Sequence, residues 1–272
     1  MVHLQTIVST KDLDSWGPRI AELEAFATYP LGEDAFKLDH GADYFAFFRR
    51  MGEVAAHLAL NDKDEVIAVA ISVLREFSDG PAFYLCDLKV HPKAQGKMLP
   101  LRLFSHSFAD GFSRCRRGYA ISMNPGDGSR NRVIDLLKRL KRVNVEASIQ
   151  LNLYTLPAKG LQGFMPRREK HRGPCHLLSL HGKKDIVLQS TQKAMPLLHL
   201  QFGPYASTAE GTGTTFFSDS SEGDNVYMFC TPQGDDLDNE AKAAGLSAMA
   251  SATVLSANIP AFEWGTVLTS NI

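Results

Sequence analysis

The N-terminal third of the chain alternates between helical and strand periodicities. Apolar residues at helical spacing predict a helix over Asp12–Ala27, and the aromatic segment Asp43–Met51 predicts a second one. Short runs of β-branched and aromatic residues predict strands at Gln5–Ser9, Val54–Leu60, Val66–Arg75 and Ala82–Val90. The predicted order is therefore β-α-α-β-β-β, in which the second and third strands form a hairpin.

The segment Ala82–Phe108 predicts a strand, a short polar loop and a helix in succession. The strand ends before Pro92, because proline cannot extend a central strand. Polar residues fill Lys93–Lys97, and apolar residues then recur at helical spacing from Met98 to about Arg114. A helix begins with unpaired backbone N–H groups and the positive end of its dipole, so this loop is suited to bind a phosphate.

The rest of the chain predicts more strands than helices. Strands are predicted at Gly118–Met123, Ile149–Leu156, His176–Leu180, Ile186–Leu188, Leu197–Phe202 and Val226–Cys230. One helix is predicted from Ser129 or Asn131 through Leu140, and another over Asp235–Ser251. Segments rich in Gly, Ser and Thr predict turns at Ser207–Thr215 and Ser218–Gly223. The apolar segment Ser256–Ile272 has no clear period.

The composition is that of an ordinary water-soluble protein. The 272 residues, 44% hydrophobic and 22% charged, suffice for one large domain or two small ones. No apolar run approaches the roughly 20 residues that cross a bilayer, and no signal peptide is evident, so we expect a cytoplasmic protein without a membrane span. The four cysteines are scattered without a CxxC pair, which favours reduced thiols.

The charge is divided unevenly along the chain. Residues 1–192 carry 27 basic and 21 acidic side chains, whereas residues 193–272 carry 2 and 9. This asymmetry indicates a charged ligand, a contact between the two parts, or two solvated faces. The pI of about 6.8 and the single basic loop, Ala158–Pro174, argue against nucleic acid as a partner. The spacing of His171, His176 and His181 does not place them on one face, so no metal site is predicted.

The segment Ala82–Phe108 resembles motif A of the GNAT N-acyltransferase superfamily. That motif is a strand ending in Val-x-Pro, an Arg/Gln-x-x-Gly-x-Gly/Ala loop and a helix; the matching residues here are Val90, Pro92, Gln95, Gly96 and Lys97. The order β-α-α-β-β-β is also similar to the start of that fold. The resemblance implies an α+β fold, a central mixed sheet flanked by helices. We assign residues 1–185 to a GNAT-like acyl-CoA-binding domain and residues 186–272 to a C-terminal α+β extension, or to a part of the same domain.

The resemblance implies an acyltransferase that moves an acyl group, in most members acetyl, from acyl-CoA to an amine of a small molecule or a protein. Loop N–H groups would hold the pyrophosphate; they belong to Gln95, Gly96, Lys97, Met98 and Leu99. The backbone of Leu88, Lys89 and Val90 would pair with the pantetheine arm. Asn124 and Asn131 would face the cofactor, or Asn131 would only cap the following helix. No metal is implied.

Three residues are candidates for proton transfer. Asp87 is our first choice for the base that takes the proton from the amine, and alternation along a strand would point it opposite to Cys86 and Leu88. Tyr84 is a weaker candidate for the base. Lys138 stands where the family has a tyrosine acid, so Tyr119, Tyr154 or a water would replace it, or no acid is needed. Alternatively, Asp87 is a structural carboxylate.

Two other functions stay open. Met98 and Pro100 replace the last two small residues of the loop motif, which favours an acyl-CoA- or ligand-binding protein without catalysis. The aromatic segment Tyr44–Phe48 either packs in the core or lines a tunnel for a long acyl chain, which would make the protein a long-chain N-acyltransferase. The basic loop Ala158–Pro174 would clamp the 3′-phosphate of CoA or remain solvated. The C-terminal extension would cover the acceptor site or form a homodimer contact.

Overall fold

The computed structural model describes residues 2–77, 79–96, 98–139, 144–157, 160–161, 163–164, 173, 175–202, 214–215, 225–259, 264 and 267–272. The strands are β1 (His3–Ile7), β2 (Tyr29–Leu31), β3 (Asp34–Asp39), β4 (Glu53–Leu60), β5 (Val66–Arg75), β6 (Ala82–Val90), β7 (Gly118–Met123), β8 (Glu146–Pro157), β9 (Cys175–Leu178), β10 (Asp185–Leu188), β11 (Leu197–Phe202), β12 (Thr214–Thr215), β13 (Val226–Pro232) and β14 (Ala250–Ala257). The α-helices are α1 (Thr10–Glu24), α2 (Ala46–Arg49), α3 (Leu99–Arg114), α4 (Arg132–Leu137) and α5 (Asp236–Ala243). Short 3₁₀ turns lie at Pro92–Ala94 and Thr269–Asn271.

One large mixed sheet organises the described part of the chain. Its strand order is β1-β4-β5-β6-β7-β14-β8-β13-β11-β9-β12, and a small second sheet has the order β10-β3-β2. The pair β6 and β7 is parallel, and so is the pair β11 and β13. The remaining described strand pairs are antiparallel, so the sheet is mixed, as the sequence predicts.

In each of two strand-helix-strand units, the last strand pairs with the first strand of the other unit. The first unit is β7-α4-β8 and the second is β13-α5-β14. Strand β14 lies between β7 and β8, with Val254 opposite both Ile121 and Ile149. Strand β8 in turn lies between β14 and β13. The C-terminal part of the chain is therefore built into the middle of the sheet.

Helices cover both faces of the sheet beside β6. The helices α1 and α2 pack on one face with Tyr84 and Tyr119, and α3 packs on the other with Phe83 and Leu85. Helix α3 approaches the sheet closely at Gly111, where an added Cβ would lie 2.6 Å from the Phe83 ring. Both faces of β6 are thus buried, as its continuous apolar sequence predicts.

Several sequence-based boundaries are corrected by the structure. The second helix is a single turn at Ala46–Arg49, whereas we predicted Asp43–Met51. The helix predicted over Asp235–Ser251 ends at Ala243, because Gly245 adopts a left-handed φ of +80° and β14 begins at Ala250. Strands β2 and β3, of three and six residues, were not predicted from the sequence.

Some predicted features lie outside the described residues. These are Lys97, Leu140, most of the basic loop Ala158–Pro174, and most of Ser207–Thr215 and Ser218–Gly223. Within the apolar segment Ser256–Ile272, the described residues include the end of β14 and the 3₁₀ turn at Thr269–Asn271. None of the described helices combines the length and the apolar character that crossing a bilayer requires.

Candidate functional site

A β-bulge in β6 changes the direction of Asp87. Along β5, Val69 is opposite Lys89 but Ile71 is opposite Cys86, so β6 carries one extra residue, and Asp87 has a φ of +53°. An extra residue moves the following side chains to the other face. Asp87 therefore lies on the α1 face, where Cys86 also packs, while Leu88 packs on the α3 face. The expected opposition to Cys86 is wrong, because the strand does not alternate here.

The strands β6 and β7 separate after a short parallel pairing. Phe83–Leu85 pair with Gly118–Ala120, and no pairing of these two strands continues beyond them in the described residues. A cavity of about 560 Å³ occupies this region and is lined by Leu88 and Asn124 as the strands diverge. The backbone of β6 is thus open to a ligand on the side that faces β7.

The cavity reaches both faces of the sheet. On the α3 face it is lined by Phe104, Val133 and Leu137, and on the opposite face by Leu31, Phe47 and Phe48. A molecule entering beside α3 can therefore present one end to the opposite face through the gap. Phe47 and Phe48 are both buried and both line the cavity, so core packing and lining are combined in α2.

The loop before α3 leaves the first turn of that helix without a side-chain cap. The cap position is Met98, which has a left-handed φ of +55° and whose side chain is 47% exposed. Gly96 has a φ of +79° and nothing lies within 4 Å of the place a Cβ would take. The amides of Ala94 and Gln95 donate to carbonyls of the preceding turn. Among the described residues of this loop, the Gly96 and Leu99 amides have no backbone acceptor.

Buried charged side chains surround Asp87. The Asp87 carboxylate contacts the Lys89 ammonium and accepts a hydrogen bond from the Tyr44 hydroxyl. Lys89 also lies 2.7 Å from a carboxylate oxygen of Glu24. Burial lowers the pKa of Lys89, although the Glu24 charge opposes this. Burial alone would raise the pKa of Glu24, but His40 and Lys89 outweigh it and lower that pKa.

Glu24, His40 and Asp87 bring their ligand atoms within 4.8 Å of one another, a spacing that a metal ion could bridge. The Lys89 ammonium already contacts the carboxylates of Glu24 and Asp87. The protein therefore supplies one positive charge at this place, while both His40 ring nitrogens have no hydrogen-bond partner among the described residues.

Tyr84 and Tyr119 form a stacked pair on neighbouring parallel strands. Their ring centroids are 4.6 Å apart and their planes are 6° from parallel. Burial raises the pKa of Tyr119 to about 12 and also raises that of Tyr84. Tyr84 lines the cavity, whereas the Tyr119 hydroxyl accepts a hydrogen bond from Arg75 at 2.7 Å. Both phenols are protonated at neutral pH, and their raised pKa values make them weaker acids than an ordinary tyrosine.

Asn124 and Asn131 belong to one hydrogen-bond network. The Asn131 oxygen accepts from the amides of Val133 and Ile134 at the start of α4, which is a helix cap. The Asn131 amide donates to Met123 O and to the Asn124 side-chain oxygen. Asn124 also donates to Ser251 and lines the cavity. The capping role anticipated for Asn131 is present, and Asn124 adds a polar group to the cavity wall.

The candidate site residues predicted from the sequence form two groups, one in the cavity wall and one in the loop that follows β6. Those in the cavity wall are Tyr84, Asp87, Leu88 and Asn124. Those beyond its end, in the loop and the start of α3, are Gln95, Gly96, Met98 and Leu99. Lys89 is turned into the charged cluster, and Val90 packs on the α3 face.

Residues from the second half of the chain were not identified from the sequence. The lining residues from this part include Leu153, Lys184, Ile186, His199, Met228, Thr269 and Ile272. Burial lowers the pKa of Lys184 to about 7 and that of His199 to about 3. Their proximity to β6 is created by long-range folding, and no local motif marks it. Burial also raises the pKa of the Cys86 thiol to about 12, so this lining residue is not a thiolate nucleophile.

No protein-family model and no curated protein matches the chain. Solved structures are similar in fold. A tandem GNAT protein from the clavulanic acid biosynthesis pathway aligns with a TM-score of 0.52 and 9% identity, over 96% of this chain and 100% of that chain. A putative acetyltransferase from Pyrococcus horikoshii aligns with a TM-score of 0.49 and 10% identity, over 97% and 92%. The ribosomal-protein-S18-alanine N-acetyltransferase from Escherichia coli aligns with a TM-score of 0.38 and 18% identity, over 55% of this chain and 81% of that chain.

Proposed function

Because the chain has the fold of the GNAT superfamily, as the sequence predicted, we propose that it is an acyl-CoA-dependent N-acyltransferase. It would move an acyl group, most simply acetyl, from CoA to an amine of a small molecule or a protein. The observation that carries the proposal is the cavity at the gap between β6 and β7, on a strand that leads along the chain to the uncapped start of α3. A thioester would occupy the first feature and a diphosphate the second.

The loop before α3 would hold the diphosphate. Gly96 and Leu99 offer backbone donors at a helix start, where the dipole also favours an anion. Gly96 would let the diphosphate approach the backbone closely, because any larger residue would place a side chain in the open space beside the loop. Pro100 has no N–H, so one donor of the first turn is missing. The expected result is a weaker hold on the diphosphate than a complete set of donors would give.

The gap beside Leu88 would admit the pantetheine arm and the thioester. Acyl-CoA supplies an activated carbonyl carbon; the amine attacks it, a C–N bond forms, and the C–S bond breaks. Asp87 lines the cavity at this point and is the candidate base for the amine proton. Tyr84 lines the same cavity, but burial raises its pKa and makes it a weak acid, so water would protonate the departing thiolate.

The two parts of the chain would bind different substrates. We propose that residues 1–185 bind acyl-CoA and that residues 186–272 complete the acceptor side. Ile186, Met228 and Ile272 line the cavity from that part. This assignment makes the C-terminal part necessary for the acceptor rather than for the nucleotide.

Calorimetric titration tests the proposal with acetyl-, octanoyl- and palmitoyl-CoA. We expect binding, and we expect Gly96→Pro to weaken it at least about tenfold, because proline removes an N–H and cannot adopt the φ of +79°. Gly245→Pro is the matched control, since Gly245 has a φ of +80° in an exposed turn outside the cavity wall. No binding of any CoA ester would refute the proposal.

The chain-length series also separates the alternatives. Preference for palmitoyl-CoA would identify a long-chain enzyme, for which Phe47 and Phe48 offer an apolar wall. Binding without release of thiol across a panel of amines would favour the non-catalytic protein. That second candidate is favoured by Lys138, which is exposed at the end of α4 where the superfamily places a tyrosine acid.

A further inference from the structure

The Lys184 ammonium lines the cavity without an anionic partner. In the part of the chain that the structure describes, it forms no ion pair or side-chain hydrogen bond, and it lies over the Phe47 ring at 4.1 Å from the centroid. A cation in an apolar wall is unfavourable unless a counter-charge accompanies it. A negative group in the cavity would therefore favour the charged form of Lys184.

Two neighbouring positive charges further disfavour the charged form of Lys184. Its pKa is lowered to about 7 mainly by burial, and the positive charges of Arg50 and Lys89 lower it further. The carboxylates of Glu24 and Asp87 are already in contact with Lys89. His199 does not supply a negative charge and stays neutral, since burial lowers its pKa to about 3. The Glu24 and Asp87 carboxylates at this end are thus already paired with Lys89, while Lys184 forms no ion pair among the described residues.

The wall beside Lys184 is apolar. Phe47, Phe48, Ile186 and Met228 line the same end, on the face opposite to α3. A ligand that fits both features has an apolar body and one anionic group. A carboxylate matches the single ammonium, whereas a phosphate dianion would need further donors.

We infer that the amine acceptor is an apolar amino acid or a similar amphipathic amine, with its carboxylate paired to Lys184. This inference rests on the proposed function, since it names the acceptor of that reaction. The amine of such a molecule lies one carbon from its carboxylate, so the pairing orients the amine within the cavity. The carboxylate would also stabilise the charged form of Lys184 and so reverse the effect of burial.

Product binding tests the inference without turnover. The probes are the N-acetyl derivatives of leucine, methionine and phenylalanine, each compared with its carboxamide by calorimetry. We expect at least one acid to bind at least about tenfold more tightly than its amide, because a buried charge pair is lost in the amide. Lys184→Met should abolish that difference, and acetyl-CoA should bind the variant as it binds the wild type.

The neighbouring Lys183→Met serves as the control, because Lys183 is in the same turn but outside the cavity wall. It should retain the preference for the acid. Equal affinity for every acid and amide, no binding of any acid, or an unchanged preference in Lys184→Met would overturn the inference. A lack of binding of every CoA ester in the chain-length series would instead refute the proposed function, so the two failures are distinguishable.

Discussion

The ammonium group of Lys89 lies 2.7 Å from the carboxylate of Glu24 and joins strand β6 to the last residue of α1. Both side chains are almost fully buried. The same ammonium contacts Asp87. One cation thus contacts two carboxylates from different elements.

We predict that Lys89→Met destabilises the protein by about 3–5 kcal/mol, because Glu24 and Asp87 remain buried without their counter-charge. Urea unfolding would measure the loss. Adding Glu24→Gln and Asp87→Asn should recover a large part of it. Glu53→Gln is the control, since its pair with Arg114 is exposed and is expected to contribute about 0–1 kcal/mol. Equal effects of Lys89→Met and Glu53→Gln would contradict the prediction.

A second prediction concerns Asn131, which caps α4 and bonds to β7. Asn131→Ala should cost about 2 kcal/mol or more, because it removes the cap and the bonds donated by the side-chain amide. Asn131→Asp keeps the cap but not those donors, so its loss should be smaller. Ser9→Ala at the exposed cap of α1 should cost about 1 kcal/mol. The same denaturant series measures all three, and a loss for Asn131→Ala no larger than for Ser9→Ala would disprove the network role.

A third prediction concerns the close approach of α3 to the sheet. Alanine is a better helix former than glycine by about 1 kcal/mol, yet Gly111→Ala should destabilise the fold. The new Cβ would lie 2.6–2.8 Å from three carbons of the buried Phe83 ring, and overpacking costs about 1–3 kcal/mol. Adding Phe83→Leu should make the alanine at 111 less harmful. Thermal unfolding measures the coupling, and strict additivity would show that the ring is not the cause.

A fourth prediction is a gain in affinity. Pro100→Ala adds a backbone N–H in the first turn of α3, where the proposed function places the diphosphate. A hydrogen bond to a charged group stabilises a complex enough for about tenfold tighter binding of CoA. Pantetheine, which lacks the diphosphate, is the control ligand and should bind equally to both proteins. A matching gain for pantetheine would point to a general change in the cavity.

A fifth prediction concerns pH. His57 is buried between the hydroxyls of Thr6 and Ser72, and burial lowers its pKa to about 3. The unfolded chain protonates this group below about pH 6.5, whereas the folded chain stays neutral down to about pH 3. Stability is therefore retained above about pH 6.5 and lost as the pH falls, by up to about tenfold in the folding constant per pH unit.

Urea unfolding at pH 7, 6 and 5 measures this slope. His57→Gln should make it shallower by the contribution of one proton, because the glutamine does not titrate. His3→Gln at an exposed position should leave the slope unchanged. A slope that is the same in His57→Gln and wild type would show that other groups control it.

Local patterns specified the strands whose sequences are continuously apolar. The predicted bounds of Val66–Arg75, Ala82–Val90, Gly118–Met123 and Leu197–Phe202 coincide with the structure. The loop around Gly96 was also predicted from the sequence, because a strand end, a glycine and a helix start are close together there.

Other features depend on contacts that no short segment contains. Strand β14 is rich in Ala and Ser, which fit a helix as readily as a strand until its neighbours β7 and β8 are known. The bulge that turns Asp87 arises from its register with β5. Lys184 becomes a lining residue only when the second half of the chain packs against β6.

The position of β14 between β7 and β8 has a consequence for biosynthesis. A nascent chain that has not yet reached residue 250 displays two open strand edges in the centre of its future sheet, which can pair with other chains. The strand that joins these edges is more than 90 residues away from the nearer one along the chain, a long-range closure that slows folding. Assembly of the central sheet must therefore wait until residue 257 has left the ribosome, and during that interval chaperone protection is most valuable.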